Sequence, residues 1–143
     1  MPYETRRDEY VISTDPARLD REVIFDYLHN TAYWAMGRPR EVIEKSIAHS
    51  ENFGVYRGDA LVGYARVITD YATFAYLCDV FILPQEQGHG LGKWLMATIL
   101  AHPELQGLRY WYLRTRDAHD LSKQFGFTEL RDPPRSMERP GTL

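Results

Sequence analysis

Three glycines lie between two apolar runs of this sequence, in an arrangement that could hold a phosphate group. The stretch Gln87 to Gly92 reads Q-G-H-G-L-G; it follows an apolar run, Phe74 to Leu83, and opens an amphipathic run, Leu91 to Ala101. Because glycines lack side chains, main-chain N–H groups can close around an anion, and a helix that begins there adds the positive end of its dipole. The pattern predicts a strand, a phosphate-binding loop and a helix, with a pyrophosphate-bearing cofactor as the ligand.

The spacing of this loop excludes two familiar phosphate-binding motifs. A P-loop has four residues between its glycines and then Lys followed by Ser or Thr. Here three residues separate Gly88 from Gly92, and Trp94 follows Lys93. A dinucleotide-binding fingerprint has glycines at its first, third and sixth positions, and Lys93 occupies the sixth position counted from Gly88. What remains is the pattern Q-x-x-G-x-G, which begins at Gln87.

That pattern resembles motif A of the GNAT acetyltransferase superfamily. The segment D-V-F-I-L-P-Q-E-Q-G-H-G-L-G-K-W-L, Asp79 to Leu95, is similar to that family, and so is the later F-G-F, Phe125 to Phe127. The resemblance covers residues 74 to 130 well and the first half of the chain loosely. In the family this loop holds the pyrophosphate of acetyl-coenzyme A (acetyl-CoA). The resemblance thus implies a cofactor-binding loop made of Gln87, Gly88, His89, Gly90, Leu91, Gly92 and Lys93.

The same resemblance implies that the end of the strand before the glycine loop also contacts the cofactor. Phe81, Ile82 and Leu83 end the apolar run, and in the family this strand carries a bulge and diverges from its neighbour. Its freed backbone groups then pair with the pantetheine amides and polarise the thioester carbonyl. Attack by an amine on a thioester builds negative charge on the carbonyl oxygen, and a fixed N–H that points there stabilises it. The resemblance assigns that N–H to Ile82.

Asp79 interrupts an otherwise apolar strand, and two roles are open for it. A buried carboxylate is unfavourable unless it is paired or hydrogen-bonded, so Asp79 can be a structural residue held by a tyrosine or an arginine. It can also be the general base of catalysis, because an alkyl ammonium with a pKa of about 10.4 must lose a proton before it attacks. GNAT enzymes often place an acidic residue on this strand.

The region after the next strand departs from the family at one position. Motif B of the family commonly reads N-x-x-A-x-x-L-Y-x-x-x-G-F, whereas Thr115 to Phe127 reads T-R-D-A-H-D-L-S-K-Q-F-G-F. Thr115 replaces the asparagine and is carried over as a cofactor contact. Ser122 replaces the tyrosine that usually donates a proton to the leaving thiolate, and it takes that catalytic position here. Serine is a much poorer acid, but a thiol of pKa about 8.5 can leave without help.

Tyr33 and Trp34 lie between the first two predicted helices, in the region where the resembling family lines its acceptor site. An aromatic pair there could seat a small amine or the end of a peptide, and packing in the core would explain it equally well. We predict both as substrate-binding residues. Weaker candidates for the same site lie near the far end of a predicted hairpin: Arg66, Asp70 and Tyr71.

Composition bounds the class of protein. The chain has 143 residues, of which 44% are hydrophobic and 26% charged, and a net charge of −3, values typical of one globular domain spanning residues 1–143 that does not bind nucleic acid. The lone cysteine, Cys78, cannot form an intramolecular disulfide. The sequence has no apolar run of about 20 residues and no apolar core of a signal peptide, so we expect a cytoplasmic protein without a membrane partner.

The predicted elements place these residues on a mixed α/β fold. Strands are predicted at Tyr10–Ser13, Asn52–Tyr56, Leu61–Thr69, Phe74–Leu83, Leu108–Leu113 and Thr128–Leu130. Helices are predicted at Arg21–His29, Pro39–His49, Leu91–Ala101 and Ala118–Phe125. The order β-α-α-β-β-β-α-β-α-β favours a central, mostly antiparallel mixed sheet with helices on both faces. It is also the order that the GNAT resemblance implies.

The resemblance and the residues together predict an acetyl-CoA-dependent N-acetyltransferase, an acyltransferase that acts without a metal. It would transfer the acetyl group directly to a primary amine of a small molecule or peptide, in a ternary complex with no covalent enzyme intermediate. Because Ser122 replaces the usual tyrosine, a coenzyme A-binding sensor module without turnover is the alternative. A nucleotide-binding protein is a more distant one. Dimers are common in the family, which leaves a homodimer open.

Overall fold

Six strands and four helices make up the fold of residues 1–142, which a computed structural model describes. The strands are β1 (Glu4–Arg7), β2 (Tyr10–Ser13), β3 (Glu51–Arg57), β4 (Ala60–Thr69), β5 (Phe74–Ile82) and β6 (Tyr110–Leu113). The helices are α1 (Arg21–Asn30), α2 (Arg40–Ala48), α3 (Leu91–Leu100) and α4 (His119–Lys123). Among these residues no helix is both long and apolar enough to cross a membrane.

The six strands form one sheet in the order of the chain, from β1 to β6. Neighbouring strands from β1 to β5 pair antiparallel, and β6 pairs parallel with β5. The parallel pairing requires a crossover, which α3 provides between β5 and β6. The short pairing of β5 with β6 joins Phe74–Leu77 to Tyr110–Leu113 and leaves the second half of β5 without β6 beside it.

Both faces of the sheet are covered, each by its own apolar cluster. On one face α3 packs with Leu91, Leu95 and Ile99 against side chains such as Phe53 and Leu77. On the other face α1 and α2 pack with Ile24, Leu28, Ile43 and Ile47 against Tyr56, Tyr64 and Phe81. The alternation of side chains along the strands therefore separates the two helical layers. The mixed α/β fold with helices on both faces, predicted from the sequence, is confirmed.

Local sequence signals fix several of the boundaries. Asp20 begins α1 as predicted, because its carboxylate accepts hydrogen bonds from the N–H groups of Glu22 and Val23, both at 3.2 Å. Gly58 adopts a positive φ of 60° in the turn between β3 and β4. Pro39 immediately precedes α2, in extended conformation, and is not part of the helix.

The observed sheet differs from the predicted one in two strands. The first strand of the sheet is β1, Glu4–Arg7, which the sequence did not reveal because its polar residues E-T-R-R lie on an exposed edge and show no apolar alternation. The predicted final strand at Thr128–Leu130 is absent from the described residues; this stretch is irregular, and a short 3₁₀ turn follows at Pro133–Arg135. Proline lacks the N–H that a sheet requires, so the two prolines oppose continuation of a strand.

Candidate active site

A cleft of about 960 Å³ opens where the pairing between β5 and β6 ends. It is bordered by the second half of β5, by the glycine loop with the start of α3, by the segment from Leu113 to Ser122, and by the connection between α1 and α2. The parallel pairing ends at Leu77 and Leu113, so the two strands leave a gap between them beyond these residues. The fold thus brings the glycine loop, the strand end and the aromatic pair to one cavity.

A β-bulge at Asp79 borders this cleft. Tyr64 of β4 pairs with Phe81 and Arg66 pairs with Cys78, so that two residues of β5 oppose one residue of β4. Asp79 has a φ of 54°, which a non-glycine residue rarely adopts. The bulge that the family resemblance implied is therefore present. It bends β5 at the point where β6 has stopped pairing with it.

The register beyond the bulge sets the direction of the Ile82 backbone. Leu83 donates its N–H to the carbonyl oxygen of Val62 at 2.8 Å, and Ile82 lies opposite Gly63. Hydrogen-bonded and non-hydrogen-bonded pairs alternate in an antiparallel ladder. The N–H of Ile82 therefore points away from β4, to the side of β5 that faces the gap.

The glycine loop has a backbone that only glycine adopts without strain. Gly88 and Gly90 have φ values of 87° and 73°, and Gly90 precedes α3 in a left-handed conformation. A methyl group at Gly88 would meet no atom within 4 Å, so conformation and not crowding requires glycine there. The first N–H groups of α3, from Leu91 to Lys93, have no partners within the helix and can donate to an anion.

Four hydrogen bonds hold the loop in place. The side chain of Gln87 donates from Nε2 to the carbonyl oxygen of Ile82 at 3.1 Å, which ties the loop to the end of β5. Arg7 of β1 donates from Nη2 to the carbonyl oxygen of His89 at 3.1 Å. Buried Glu86 accepts hydrogen bonds from the Tyr10 hydroxyl at 2.6 Å and from Arg57 at 3.3 Å. The loop and the turn that precedes it are therefore tied by hydrogen bonds to β1, β2, β3 and β5.

Asp79 is the most heavily hydrogen-bonded side chain of the cleft. Its carboxylate is 1% exposed and accepts from Trp34 Nε1 at 2.9 Å, from Arg38 Nη1 at 3.0 and 3.2 Å, and from Arg66 Nε at 2.8 Å. Each carboxylate oxygen receives two of these bonds, which uses the roughly four lone-pair sites of the group. The geometry favours the structural role for Asp79 and gives a substrate ammonium no unoccupied site on it.

The segment after β6 forms the opposite wall. Thr115 Oγ1 accepts hydrogen bonds from the N–H groups of Ala118 at 3.0 Å and Asp117 at 3.3 Å, so it stabilises the turn into α4. Ser122 is 7% exposed and borders the same cleft as Asp79 and the glycine loop. The position where the family commonly has a tyrosine therefore lies on the cavity wall.

Tyr33 and Trp34 link the two walls of the cleft. Their rings meet edge to face with centroids 5.2 Å apart, and both side chains are partly exposed. The Tyr33 hydroxyl accepts a hydrogen bond from the N–H of Arg116 at 3.0 Å, and the guanidinium of Arg116 lies 3.8 Å from the centre of the Tyr33 ring. The aromatic pair is thus part of the cleft wall and is not a core contact.

Most of the predicted site residues border this one cleft, and two do not. Those that border it are Tyr33, Trp34, Asp79, Phe81, Ile82, Gln87, Gly88, Gly90, Leu91, Gly92, Lys93, Thr115 and Ser122. Leu83 lies outside it, since its N–H is bonded to Val62 and its side chain packs on the α1–α2 face. His89 is exposed and presents its carbonyl oxygen to Arg7. Leu83 and the His89 side chain are thus poor candidates for cofactor contacts.

Sequence reasoning missed several residues of the wall. Arg38 belongs to a loop with no motif of its own, and nothing local marks it as a site residue. The only available signal for Arg38 was that buried Asp79 needs a cationic partner. Cys78 also borders the cleft; burial raises the pKa of its thiol to about 11, so at neutral pH it is not a thiolate nucleophile.

A second cluster of titratable groups, away from the cleft, is occupied by its own contacts. Glu51, His102 and Glu104 lie close together in space. The Nε2 of buried His102 lies 2.9 Å from the Glu51 carboxylate, and its Nδ1 accepts the N–H of Glu104 at 3.0 Å. Both ring nitrogens are thus hydrogen-bonded, and the cluster joins the end of α3 to β3.

Comparison with known proteins gives one family. The model of the acetyltransferase (GNAT) family matches residues 15–127. A candidate acetyltransferase of Gibberella zeae is 32% identical, over 92% of this chain and 86% of its own length. The crystal structure of a candidate GNAT-family acetyltransferase from Xanthomonas campestris pv. campestris is 43% identical, with a TM-score of 0.89 over 99% of this chain and 95% of that one. A GNAT-family acetyltransferase from Elizabethkingia anophelis, solved with acetyl-CoA bound, is 13% identical, with a TM-score of 0.64 over 85% of this chain and 78% of that one, a likeness of fold alone.

Proposed function

The chain belongs to the GNAT acetyltransferase family, and on that premise we propose that it is an N-acetyltransferase that uses acetyl-CoA as cosubstrate. The acetyl group would pass directly to a primary amine of a small molecule or peptide. One observation carries the proposal: the glycine loop, the bulged strand and the gap between β5 and β6 open on the same cleft.

The residues of the cleft fit acetyl-CoA in chemical type. The backbone N–H groups from Gly88 to Lys93 suit a diphosphate, because the three glycines of this stretch have no side chains that would obstruct it. The gap beside β5 exposes backbone groups that suit the amides of a pantetheine arm. The Elizabethkingia anophelis relative holds acetyl-CoA on a similar fold, which supports the same ligand here. A bound acetyl thioester would supply an activated acyl group with a thiol as its leaving group.

Three features of the chain would then promote acyl transfer. The N–H of Ile82 is directed into the gap by the strand register and would stabilise negative charge on a carbonyl oxygen placed there. The fixed loop and the bulge would orient the reacting groups without further ordering of the protein. Burial raises the pKa of the Cys78 thiol to about 11, which disfavours the thiolate that a covalent acyl-enzyme on this residue would require, and this supports direct transfer.

Asp79 would act in this enzyme as a structural anchor rather than as the general base. It joins β5 to the α1–α2 connection through Trp34 and Arg38, and to β4 through Arg66. An amine in this open cleft would lose its proton to water before attack. Ser122 would not serve as an acid, and the thiol would leave unassisted or take its proton from water.

The alternative function, a coenzyme A-binding module without turnover, is favoured by one observation, the serine at position 122. The experiment that separates the two measures free-thiol release from acetyl-CoA with a panel of amines, beside calorimetric titration with coenzyme A. Amine-dependent thiol release supports the transferase. Tight binding of coenzyme A without thiol release from any amine supports the module, and absence of binding refutes both.

A further inference from the structure

We call the part of the cleft next to Tyr33 and Trp34 its acceptor side. This side contains more cationic groups than are needed to hold Asp79. Arg38, Arg66 and Arg116 border it, against the carboxylates of Asp79 and Asp117. Asp79 is fully engaged by its donors, as described above. Asp117 is exposed and therefore strongly screened by solvent. The space next to the bulge is consequently one in which a guanidinium, not a carboxylate, is the group available to a ligand.

Arg38 holds Asp79 with one of its three nitrogens. Both of its bonds to Asp79 come from Nη1, and within residues 1–142 its Nε and Nη2 donate no hydrogen bond. Among the same residues, the Tyr56 hydroxyl is the only fully buried side-chain polar atom without a partner. The unpaired nitrogens of Arg38, whose side chain is 22% exposed, are therefore accessible to solvent or a ligand. Arg66 also borders the cleft and, among the described residues, leaves its Nη2 without a hydrogen bond, since its bonds come from Nε and Nη1.

An Nε–Nη2 edge of arginine is the fork that pairs with a carboxylate through two parallel hydrogen bonds. A chain of contacts connects this edge to the rest of the acceptor wall: Arg38 to Asp79, Asp79 to Trp34, Trp34 to Tyr33, and Tyr33 to Arg116. A polyamine would instead need unpaired carboxylates. Of the carboxylates that border the cleft, Asp79 and Glu86 are already paired, and Asp117 is exposed.

We infer that the acceptor is an amine that also carries a carboxylate, and that Arg38, assisted by Arg66, binds this carboxylate next to the bulge. The inference rests on the proposed transferase function and narrows its substrate class. Arg38 would thereby both hold Asp79 through Nη1 and bind substrate through Nε and Nη2. The amino group of such a molecule would be directed toward the gap between β5 and β6.

The test compares acceptors of equal chain length with and without the carboxylate: glycine with glycinamide, β-alanine with β-alaninamide, and γ-aminobutyrate with γ-aminobutyramide. Because a carboxylate raises the pKa of the neighbouring ammonium, kcat/KM is calculated for the concentration of the unprotonated amine. We expect kcat/KM for at least one acid to exceed that for its amide by about tenfold or more, the value of one charge-assisted hydrogen bond. Equal rates, or faster transfer to the amides, to spermidine or to a peptide with a blocked C-terminus, would overturn the inference and leave the transferase function intact.

Substitutions test whether Arg38 is responsible for the preference for the acid over its amide. In Arg38→Gln the preference for the acid should fall toward one, whereas Arg40→Gln, which removes an exposed arginine paired with Glu22 outside the cleft, should keep it. Coenzyme A affinity of each variant reports correct folding. Should Arg38→Gln fail to fold, Arg38→Lys keeps a cation for Asp79 but lacks the fork, and a retained preference in it would contradict the role of Arg38.

A binding measurement tests the proposed carboxylate site even if the protein shows no turnover. Calorimetric titration of the coenzyme A-loaded protein with the three acids and the three amides should show uptake of an acid only. That result in a protein that releases no thiol would refute the transferase and support the carboxylate site. No uptake of any acid, together with no acid preference in turnover, would overturn the inference.

Discussion

Replacing Gly90 by glutamate, with Gly107→Glu as its matched control, separates the role of the loop in folding from its role in binding. Both glycines have left-handed backbones, with φ values of 73° and 74°. A Cβ at Gly90 would meet only Arg7 Nη2 at 3.6 Å, and one at Gly107 would meet nothing within 4 Å. Gly90 borders the cleft and Gly107 does not. The two substitutions thus impose the same backbone strain with different consequences for a bound anion.

The strain sets the expected loss of stability. A left-handed backbone costs a non-glycine residue about 1–2 kcal/mol. At roughly 2.1 cal/mol/K per residue, the 143-residue chain has an unfolding entropy of about 0.3 kcal/mol/K, so both variants should melt about 3–7 °C below the native protein. Only Gly90→Glu adds a negative charge beside the predicted diphosphate. At about 5 Å and an effective dielectric constant of about 20, each pair of charges repels by about 3 kcal/mol.

Scanning calorimetry and titration with coenzyme A measure the two effects. We expect similar melting temperatures for the two variants and a dissociation constant for coenzyme A that rises about 100-fold or more in Gly90→Glu alone. High salt should reduce the difference in affinity, because exposed charges are screened. Equal affinities of Gly90→Glu and Gly107→Glu would refute the assignment of the phosphate site to this loop.

Three further predictions concern the other residues of the site and the stability of the fold. Asp79→Asn leaves two guanidinium groups without their anion, so the free energy of unfolding in urea should fall by about 3–5 kcal/mol. Any remaining activity should keep the native pH profile, and loss of the acidic limb of that profile would instead identify Asp79 as the base. Ser122→Ala should keep kcat within about twofold in thiol-release assays, and a loss of about 100-fold would show that the hydroxyl takes part in the reaction. The Thr73 hydroxyl and nearby N–H groups hold the pKa of Asp70 well below its ordinary value. This carboxylate therefore stabilises the fold above about pH 4 and loses that effect as the pH falls further. The melting temperature of Asp70→Asn should lie below that of the native protein at pH 7, and the difference should be smaller at pH 2.5. An equal difference at both pH values would contradict a stabilising role of the ionised Asp70 carboxylate.

The strand–loop–helix unit was predictable because its signals are local. The apolar run of β5, the glycines at positions 88 and 90, and the apolar stripe of α3 act through backbone conformation and side-chain periodicity within a few residues. The edge strand β1 shows the limit of that reasoning. Its residues are polar because one edge of the sheet faces solvent, and they become a strand through pairing with β2. Arg7 of this strand nevertheless braces the glycine loop.

The sequence by itself determined a glycine loop between a buried strand and a helix, since spacing and the conformational freedom of glycine suffice for that. It left the role of Asp79 open between anchor and base. Only the tertiary structure decided which role the geometry favours, because the donors that occupy the carboxylate come from Trp34, Arg38 and Arg66, which are 45, 41 and 13 residues away in the chain. What a carboxylate can do depends on which groups surround it, and folding brings those groups together from distant parts of the chain.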